Sequence, residues 1–152
     1  MNRAQSIDFD FFSTTMPEAV NALRTLSQVS ARNLDKGLVE LLKVRASQIN
    51  GCGYCLQLHL NWARMAGVPQ SRLNRVAVWR EVAEFTPRER AALAWTEALT
   101  DPARQAERDS VRQAADAQFT REELLHLTAA IAAINAWNRI AGPLRFTPPP
   151  AE

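Results

Sequence analysis

Apolar residues recur every three or four positions along most of the chain, which is the spacing of one face of an α-helix. The first such segment begins at Pro17, and its apolar positions are Ala19, Val20, Leu23, Leu26 and Val29. Similar segments follow over residues 36–48, 52–65, 70–84, 88–100, 109–118 and 123–142. No stretch of the sequence shows the strict alternation of a half-buried strand. The pattern predicts an all-α fold, a single helical domain of six to eight helices.

Capping residues mark where several of these helices begin. Thr86 and Glu89 form a capping box with Pro87 at the first helical position, and Thr120 with Glu123 forms a second box. In such a box the threonine and glutamate side chains each bond a backbone N–H that the helix leaves unpaired. The two boxes therefore predict helices that begin just after Thr86 and just after Thr120.

The two ends of the chain differ from the helical core, which spans about residues 17–142. Residues 1–16 form an arm, and we expect its aromatic cluster to pack over a neighbouring core or subunit; the cluster consists of Phe9, Phe11 and Phe12. Residues 143–152 form a Pro-rich tail that cannot be helical, because proline lacks a backbone N–H. We expect this tail to be exposed or to contact another subunit. No composition shift divides the chain into two domains.

The composition fits one domain without a membrane or nucleic-acid partner. The 152 residues suit a single compact domain, and 47% of them are hydrophobic. No apolar run approaches the ~20 residues of a membrane span, and the net charge of +2 is too small to argue for nucleic acid. The N-terminal segment lacks the apolar region of a secretory signal. We expect a cytoplasmic protein, in which a C-x-x-C pair is more often redox-active or metal-binding than structural.

The candidate chemistry is concentrated in one predicted helical hairpin. Both cysteines of the chain, Cys52 and Cys55, form a C-x-x-C pair that is followed by His59. These residues stand at i, i+3 and i+7, so we expect them to line one face of the second helix. Glu40 precedes the helix stop at Gly51 by eleven residues, and His59 follows it by eight. If the helices pack antiparallel around a tight turn, the two side chains fall within about 5 Å of one axial level, at about 1.5 Å rise per residue.

This arrangement indicates thiol chemistry. The thiolate is the reactive form of cysteine, and the N-terminus of a helix lowers the pKa of a thiol from its free value near ~8.5. His59 can take or relay the thiol proton, and Glu40 can orient or charge the imidazole. The second cysteine can resolve a sulfenic acid to a disulfide. We expect Cys55 to attack, because it lies nearest His59; the rival is Cys52, which lies closer to the positive helix end.

Other interpretations of these residues stay open. A C-x-x-C pair can be half of a zinc site, but zinc usually needs four protein ligands, or three with a water. The sequence offers Cys52, Cys55 and His59 with Glu40 as a distant fourth, and it has no second C-x-x-C. Redox chemistry is therefore favoured over a metal site. His59 taken alone is better explained as a buried histidine bonded to a backbone carbonyl, but its spacing from Cys55 and its alignment with Glu40 favour a role in the site.

Three further polar residues each have two interpretations. Tyr54 either flanks the reactive site or merely covers the helix end. Asn135 and Asn138 lie in the apolar last helix and either hydrogen-bond near the site or join two helices.

Glu40 and the Cys52-x-x-Cys55-x-x-x-His59 motif, preceded by RASQINGC, resemble the core signature of the AhpD-like alkylhydroperoxidases. These proteins belong to the carboxymuconolactone decarboxylase superfamily. The similarity extends through AVWREVAEFTPRERAALAWTEALT and IAAINAWNRIAG. It implies an all-helical fold and a peroxidase reaction carried by the two cysteines, with the glutamate and the histidine as a proton relay. Some members have a second histidine between the cysteines, where this chain has Tyr54.

The resemblance also implies partners and alternatives. It implies an enzyme that reduces organic hydroperoxides without a cofactor or metal and is reset by an external dithiol or thioredoxin-like donor. It further implies a homo-oligomer, which the sequence leaves open as a dimer, trimer or hexamer. One alternative is a redox-sensing or disulfide-exchange protein without rapid peroxide turnover. Another is a ring-opening or decarboxylase-like enzyme of the superfamily, although such relatives are not expected to depend on a C-x-x-C pair.

Overall fold

The chain folds into helices joined by short turns. The computed structural model describes residues 6–152, and within that range it contains eight α-helices, two 3₁₀ segments and no strand. This confirms the all-α prediction of six to eight helices. The α-helices are α1 (Phe9–Thr15), α2 (Pro17–Ser30), α3 (Lys36–Asn50), α4 (Gly53–Met65), α5 (Gln70–Leu73), α6 (Pro87–Thr100), α7 (Arg108–Asp116) and α8 (Arg121–Ala141). None of these described helices is long and apolar enough to cross a membrane.

Both predicted capping boxes are present. The hydroxyl of Thr86 accepts from the backbone N–H of Glu89 at 3.2 Å, and the Glu89 carboxylate accepts from the backbone N–H of Thr86 at 2.9 Å. Thr120 and Glu123 make the same pair of bonds at 3.1 and 2.9 Å. Helices α6 and α8 therefore begin one residue after each threonine, as expected from the sequence.

Part of the N-terminal arm is itself a helix, which the apolar pattern did not indicate. Asp8 caps α1, because its carboxylate accepts from the backbone N–H of Phe11 at 2.8 Å. Phe9 and Phe12 pack against aromatic side chains of α4 and α8, whereas Phe11 is 55% exposed. Two of the three phenylalanines thus pack over the core of their own chain. The part of the arm over residues 1–5 lies outside the described residues.

The prediction of a single helix over residues 70–84 is wrong. Only the four residues of α5 are α-helical, and a 3₁₀ segment, Val76–Glu81, follows. Val78 has non-helical angles (φ −116°, ψ 26°), and β-branched residues are poor at continuing a helix. The guanidinium of Arg90 donates to the carbonyl oxygen of Trp79 at 3.0 Å. A side chain from α6 therefore bonds a carbonyl in this segment, which the local pattern could not reveal.

The polar connection expected over residues 103–110 is shorter in the structure. It is a 3₁₀ segment, Pro102–Glu107, in which the Asp101 side chain accepts from the backbone N–H of Ala103 at 3.0 Å. Helix α7 follows directly at Arg108, one residue before the predicted start.

Helix α3 is the centre of the fold and packs against α4, α6 and α8, while α2 packs on α8. Leu41, Leu42 and Val44 of α3 are at most 1% exposed. A surface helix buries one apolar stripe, whereas a helix that buries side chains on several sides is surrounded by other elements. Because neighbouring helices hold α3, the turn from α3 into α4 has a defined place relative to α8.

A buried carboxylate ties α6 to its neighbours. Glu97 is fully buried and accepts hydrogen bonds from Arg45 at 2.8 Å, from the Trp79 indole at 2.9 Å and from Arg80 at 2.5 Å. Burial alone would raise the pKa of Glu97, but these hydrogen bonds together outweigh it and hold the pKa below its usual value. The charge of this side chain is thus stabilised inside the fold.

The Pro-rich tail lies along α4 of its own chain. The Asn61 amide donates to the carbonyl oxygen of Pro150 at 2.8 Å, and its oxygen accepts from the backbone N–H of Glu152 at 3.1 Å. Arg64 donates to the carbonyl oxygen of Glu152 at 2.6 Å. Pro150 itself stays exposed. The tail is therefore both partly exposed, as expected, and anchored to one helix through its backbone.

Candidate active site

The turn between α3 and α4 places the two cysteines. Gly51 ends α3 in the left-handed conformation (φ 66°, ψ 28°), which favours glycine. Cys52 then becomes the N-cap of α4, and its sulfur accepts from the backbone N–H of Cys55 at 3.2 Å. A sulfur thus takes the capping place that a serine or aspartate oxygen usually fills. The positive end of the α4 dipole consequently lies at this sulfur.

Cys52 and Cys55 form a close pair, with their Cα atoms 5.4 Å apart. Both residues are buried, at 1% and 3% exposure. Gly142, at the end of α8, covers the Cys52 side of the pair. A Cβ atom on Gly142 would lie 3.6 Å from the Cβ of Cys52 and only 2.8 Å from the carbonyl oxygen of Asn138. The carbonyl of Asn138 therefore favours glycine at this position, while the contact with Cys52 is an ordinary van der Waals one.

His59 and Glu40 meet across the hairpin. Nδ1 of His59 lies 2.7 Å from Oε2 of Glu40, and the two side chains are only 7% and 12% exposed. A carboxylate next to Nδ1 favours the imidazole tautomer that carries its proton on Nδ1. The other ring nitrogen, Nε2, then has a free lone pair. In this tautomer His59 can accept a proton at Nε2.

A buried lysine completes this polar group. Lys43, one turn after Glu40, is 7% exposed, and its Nζ lies 3.6 Å from Oε1 of Glu40. Burial lowers the pKa of His59; the hydrogen bond and the charge of Glu40 raise it, and the charge of Lys43 lowers it again. The net direction is downward. His59 is therefore neutral near pH 7 and available as a base, while Lys43 balances the charge of Glu40.

A cavity of about 440 Å³ opens beside this group. Cys55 and His59 line it, and most of the remaining wall is apolar or aromatic; Leu58, Trp62, Ile134 and Trp137 belong to this wall. Cys52 is not among the lining residues. Of the two cysteines, Cys55 is thus the one that a molecule in the cavity can meet. The volume lies in the range that protein pockets offer to small organic ligands.

Two aromatic residues of α4 flank the cavity. The Trp62 ring meets the His59 ring edge-to-face at 5.2 Å and is 44% exposed. Tyr54 stacks on Phe9 at 6.1 Å and meets Phe146 edge-to-face at 5.6 Å. Burial raises the pKa of Tyr54, so its hydroxyl stays protonated at neutral pH. Tyr54 lines the cavity together with Cys55 and His59, which agrees with the first of its two interpretations.

The asparagines of α8 hold the turn that leads to Cys52. The Asn50 amide donates to the oxygens of Asn135 and Asn138 at 2.9 and 3.0 Å, and the Asn138 amide donates to the Ser47 hydroxyl at 3.1 Å. These bonds join α8 to the end of α3. Of the two roles considered for Asn135 and Asn138, the structure supports the helix-joining one, next to the reactive turn.

The sequence-predicted residues differ in their surroundings. Glu40 contacts His59, and His59 shares the cavity wall with Cys55. Cys52 precedes α4 as its N-cap, and its sulfur lies next to that of Cys55. Sequence reasoning missed Lys43, although its position three residues after Glu40 on one helix was a usable signal. Within residues 6–152, no group of three or more His, Cys, Asp and Glu side chains is placed to hold a metal ion.

The fold and the cysteine pair define the protein as an AhpD-like helical dithiol protein. The sequence profile of the carboxymuconolactone decarboxylase family matches residues 16–98, and the chain belongs to that family. The chain is also similar to YdfG of Bacillus subtilis, an uncharacterised protein. It is 29% identical over 126 residues, which cover 82% of this chain and 86% of YdfG.

Solved structures share the fold. A protein of unknown function from Agrobacterium tumefaciens, ATU0492, for which an antioxidant defence role as AhpD has been suggested, is 36% identical. It superposes with a TM-score of 0.86 over 91% of this chain and 96% of its own.

Two more distant structures each cover 91% of this chain and 75% of their own. They are the debrominase Bmp8, at 18% identity and a TM-score of 0.80, and an uncharacterised peroxidase-related protein with an AhpD core from Ralstonia eutropha JMP134, at 23% and 0.79. At these identities the similarity shows the fold alone.

Proposed function

We propose that the protein is a thiol-dependent peroxidase that reduces organic hydroperoxides through a Cys52–Cys55 dithiol/disulfide cycle. One observation carries the proposal: Cys55 and His59 line the same mostly apolar cavity, and Glu40 lies 2.7 Å from Nδ1 of His59, which leaves Nε2 free. A thiol, a neutral base and a hydrophobic wall are what the reaction requires. The suggested antioxidant role of the Agrobacterium protein agrees with it.

In the first step, the reduced enzyme attacks the peroxide. His59 accepts the thiol proton of Cys55 at Nε2, and the thiolate attacks the terminal oxygen of the hydroperoxide. The S–O bond forms as the O–O bond breaks, and the alkoxide that leaves takes up the proton from His59. Cys55 is thereby oxidised to a sulfenic acid, and the hydroperoxide is reduced to an alcohol.

In the second step, the enzyme closes its disulfide. The Cys52 thiolate attacks the Cys55 sulfur, the S–O bond breaks, and hydroxide leaves with a proton as water. A dithiol donor then transfers two electrons by thiol–disulfide exchange, which restores both thiols and leaves the donor oxidised. The 5.4 Å between the two Cα atoms allows the disulfide to form and break without a large movement of the backbone.

We also propose that copies of the chain associate. Trp62 and Met65 on α4 are 44% and 77% exposed, and both border a second cavity of about 330 Å³ beside Glu40. Apolar side chains exposed next to one another often mark contact surfaces. Sedimentation velocity over a range of concentrations tests this. A mass above that of one chain is expected, and a monomer at every concentration would contradict it.

The test of the function is peroxide consumption. Reduced protein is mixed with cumene hydroperoxide and excess dithiothreitol, and peroxide loss is compared with that of a Cys52→Ser/Cys55→Ser variant. We expect many turnovers for the natural protein and the uncatalysed rate for the variant. Equal rates would refute the peroxidase. Consumption of one equivalent that then stops despite excess donor would instead favour a redox sensor.

A further inference from the structure

The larger cavity has one polar edge, which α2 supplies. Arg24, Ser27 and Gln28 line the cavity from this helix, and Ala31 lines it from the residue that follows the helix. They stand at i, i+3, i+4 and i+7, so they form one helix face. The α4 and α8 walls, in contrast, are largely apolar. A ligand that fills the cavity therefore meets hydrocarbon on one side and hydrogen-bonding groups on the other.

Among residues 6–152, the charged side chains that line the cavity are two cations, Arg24 and Lys43. Lys43 is balanced by Glu40, whose carboxylate lies 3.6 Å away. Arg24 has no such partner, since among residues 6–152 no ion pair joins it to a carboxylate. Its guanidinium lies over the Phe9 ring, 5.5 Å from the ring centroid. In the part of the chain that the structure describes, no carboxylate thus compensates the positive charge at the α2 edge of the cavity.

Arg24 contacts an aromatic pair that connects α2 with α4. Phe9, under the guanidinium, stacks on Tyr54, and Tyr54 directly precedes Cys55 in α4. The charge of Arg24 acts on Tyr54, and so does that of Asp10, an acid that does not line the cavity. Arg24 and Cys55 both line the cavity, so one ligand in it can meet both residues.

We infer that the cavity binds hydroperoxides that carry a carboxylate on an apolar chain, and that Arg24 pairs with that carboxylate. The hydroperoxide group lies at Cys55, the carbon chain lies along the α4 and α8 wall, and the carboxylate reaches the α2 edge. Arginine suits this role because its planar guanidinium can bond both oxygens of a carboxylate. The inference names the substrate class and rests on the proposed peroxidase function.

The first test measures binding without turnover. Ricinoleic acid and its methyl ester resemble the alcohol product with and without the charge, and tryptophan fluorescence reports their binding below the micelle concentration. We expect the acid to bind about 5-fold to 10-fold more tightly than the ester, and Arg24→Gln to abolish this preference. The matched control is Arg32→Gln, because Arg32 is exposed and lines neither cavity; it should keep the preference. Equal binding of acid and ester to the natural protein would overturn the inference.

The second test separates the inference from the function on which it rests. With a dithiol donor, linoleic acid hydroperoxide should show a KM about 5-fold to 10-fold below that of its methyl ester, and Arg24→Gln should remove the difference. If the acid and the ester react with the same KM, the carboxylate site is wrong while the peroxidase stands. If no hydroperoxide is consumed, the peroxidase is wrong, and the inferred substrate class is overturned with it. The ricinoleate comparison then decides only whether Arg24 binds a carboxylate.

Discussion

Nδ1 of His59 lies 2.7 Å from Oε2 of Glu40, although nineteen residues separate them in sequence. The contact exists because α3 and α4 pack against each other around the tight turn at Gly51. It connects the reactive helix to the central helix of the fold. The carboxylate thereby sets which nitrogen of the imidazole is free, and α3 holds that carboxylate in place.

Glu40→Gln should slow peroxide reduction. The amide keeps the size of the side chain but removes the charge that stabilises a protonated His59. We expect the second-order rate of sulfenic acid formation to fall by about 10-fold to 100-fold, the usual effect of losing such a supporting group. Stopped-flow mixing of reduced protein with cumene hydroperoxide measures this rate.

The control for that variant concerns Lys43. Glu40→Gln leaves the buried lysine without its partner, and an unbalanced cation can itself favour a thiolate. The double variant Glu40→Gln/Lys43→Met removes both charges and should be as slow as the single one. If the double variant forms sulfenic acid as fast as the natural protein, Glu40 serves only to neutralise Lys43.

Acid should destabilise the protein through His59. The pKa of this residue is lowered in the fold, mainly by burial, so below about pH 6.5 the unfolded chain takes up a proton that the native state does not. The group therefore stabilises the fold above that pH, and its contribution is lost as the pH falls. The limiting slope is about 1.4 kcal/mol per pH unit for one proton. Urea unfolding of oxidised protein between about pH 5 and 8 measures it.

His59→Gln is the comparison for this pH dependence, because glutamine does not titrate. The difference in unfolding free energy between the natural protein and the variant should shrink as the pH falls. If the unfolding free energies of the two proteins differ by the same amount at every pH, the account of His59 is contradicted. A difference in favour of the natural protein that grows as the pH falls would also contradict it.

Glu97→Gln should strongly lower the free energy of unfolding. It breaks a buried ionic group and leaves the guanidinium of Arg45 without its partner, which costs about 3–5 kcal/mol in comparable cases. Glu84→Gln is the matched control, since its pair with Arg75 is 40–52% exposed and worth less than about 1 kcal/mol. Midpoints of urea unfolding give both values. Similar small losses for the two variants would show that the buried cluster is not structural.

Asn61→Ala should release the tail. The change removes the bonds to the backbone of Pro150 and Glu152, and we expect a loss of about 1–3 kcal/mol. Limited proteolysis should also cut the tail faster. Asn74→Ala, which removes only an exposed bond to Gln70, serves as the control. Equal proteolysis of the two variants would contradict the anchoring role of Asn61.

Much of the hairpin could be predicted because its determinants are local. The glycine at Gly51, the N-terminus of α4 and the helical rise together predict that Glu40 and His59 lie at one level. The threonine boxes at Thr86 and Thr120 located two helix starts for the same reason. Each of these signals depends only on residues within a few turns of one another.

The features that the sequence did not predict depend on contacts between distant parts of the chain. Where the helix predicted over residues 70–84 is interrupted, Arg90 from a later helix donates to a backbone carbonyl oxygen. The tail is held by a hydrogen bond from Asn61. The position of Cys52 under Gly142 and the cation that Arg24 brings to the cavity depend on which helix covers which face. Helical spacing alone does not contain that information.

The role of Cys55 is the central claim, because the cavity reaches this sulfur while α8 covers Cys52. The most direct test treats reduced Cys52→Ser and Cys55→Ser proteins with cumene hydroperoxide and dimedone and measures adducts by intact-protein and peptide mass spectrometry. Circular dichroism first checks that both variants are folded. We predict a dimedone adduct on Cys55 of the Cys52→Ser protein and none on the Cys55→Ser protein. An adduct found only on Cys52 would contradict the account.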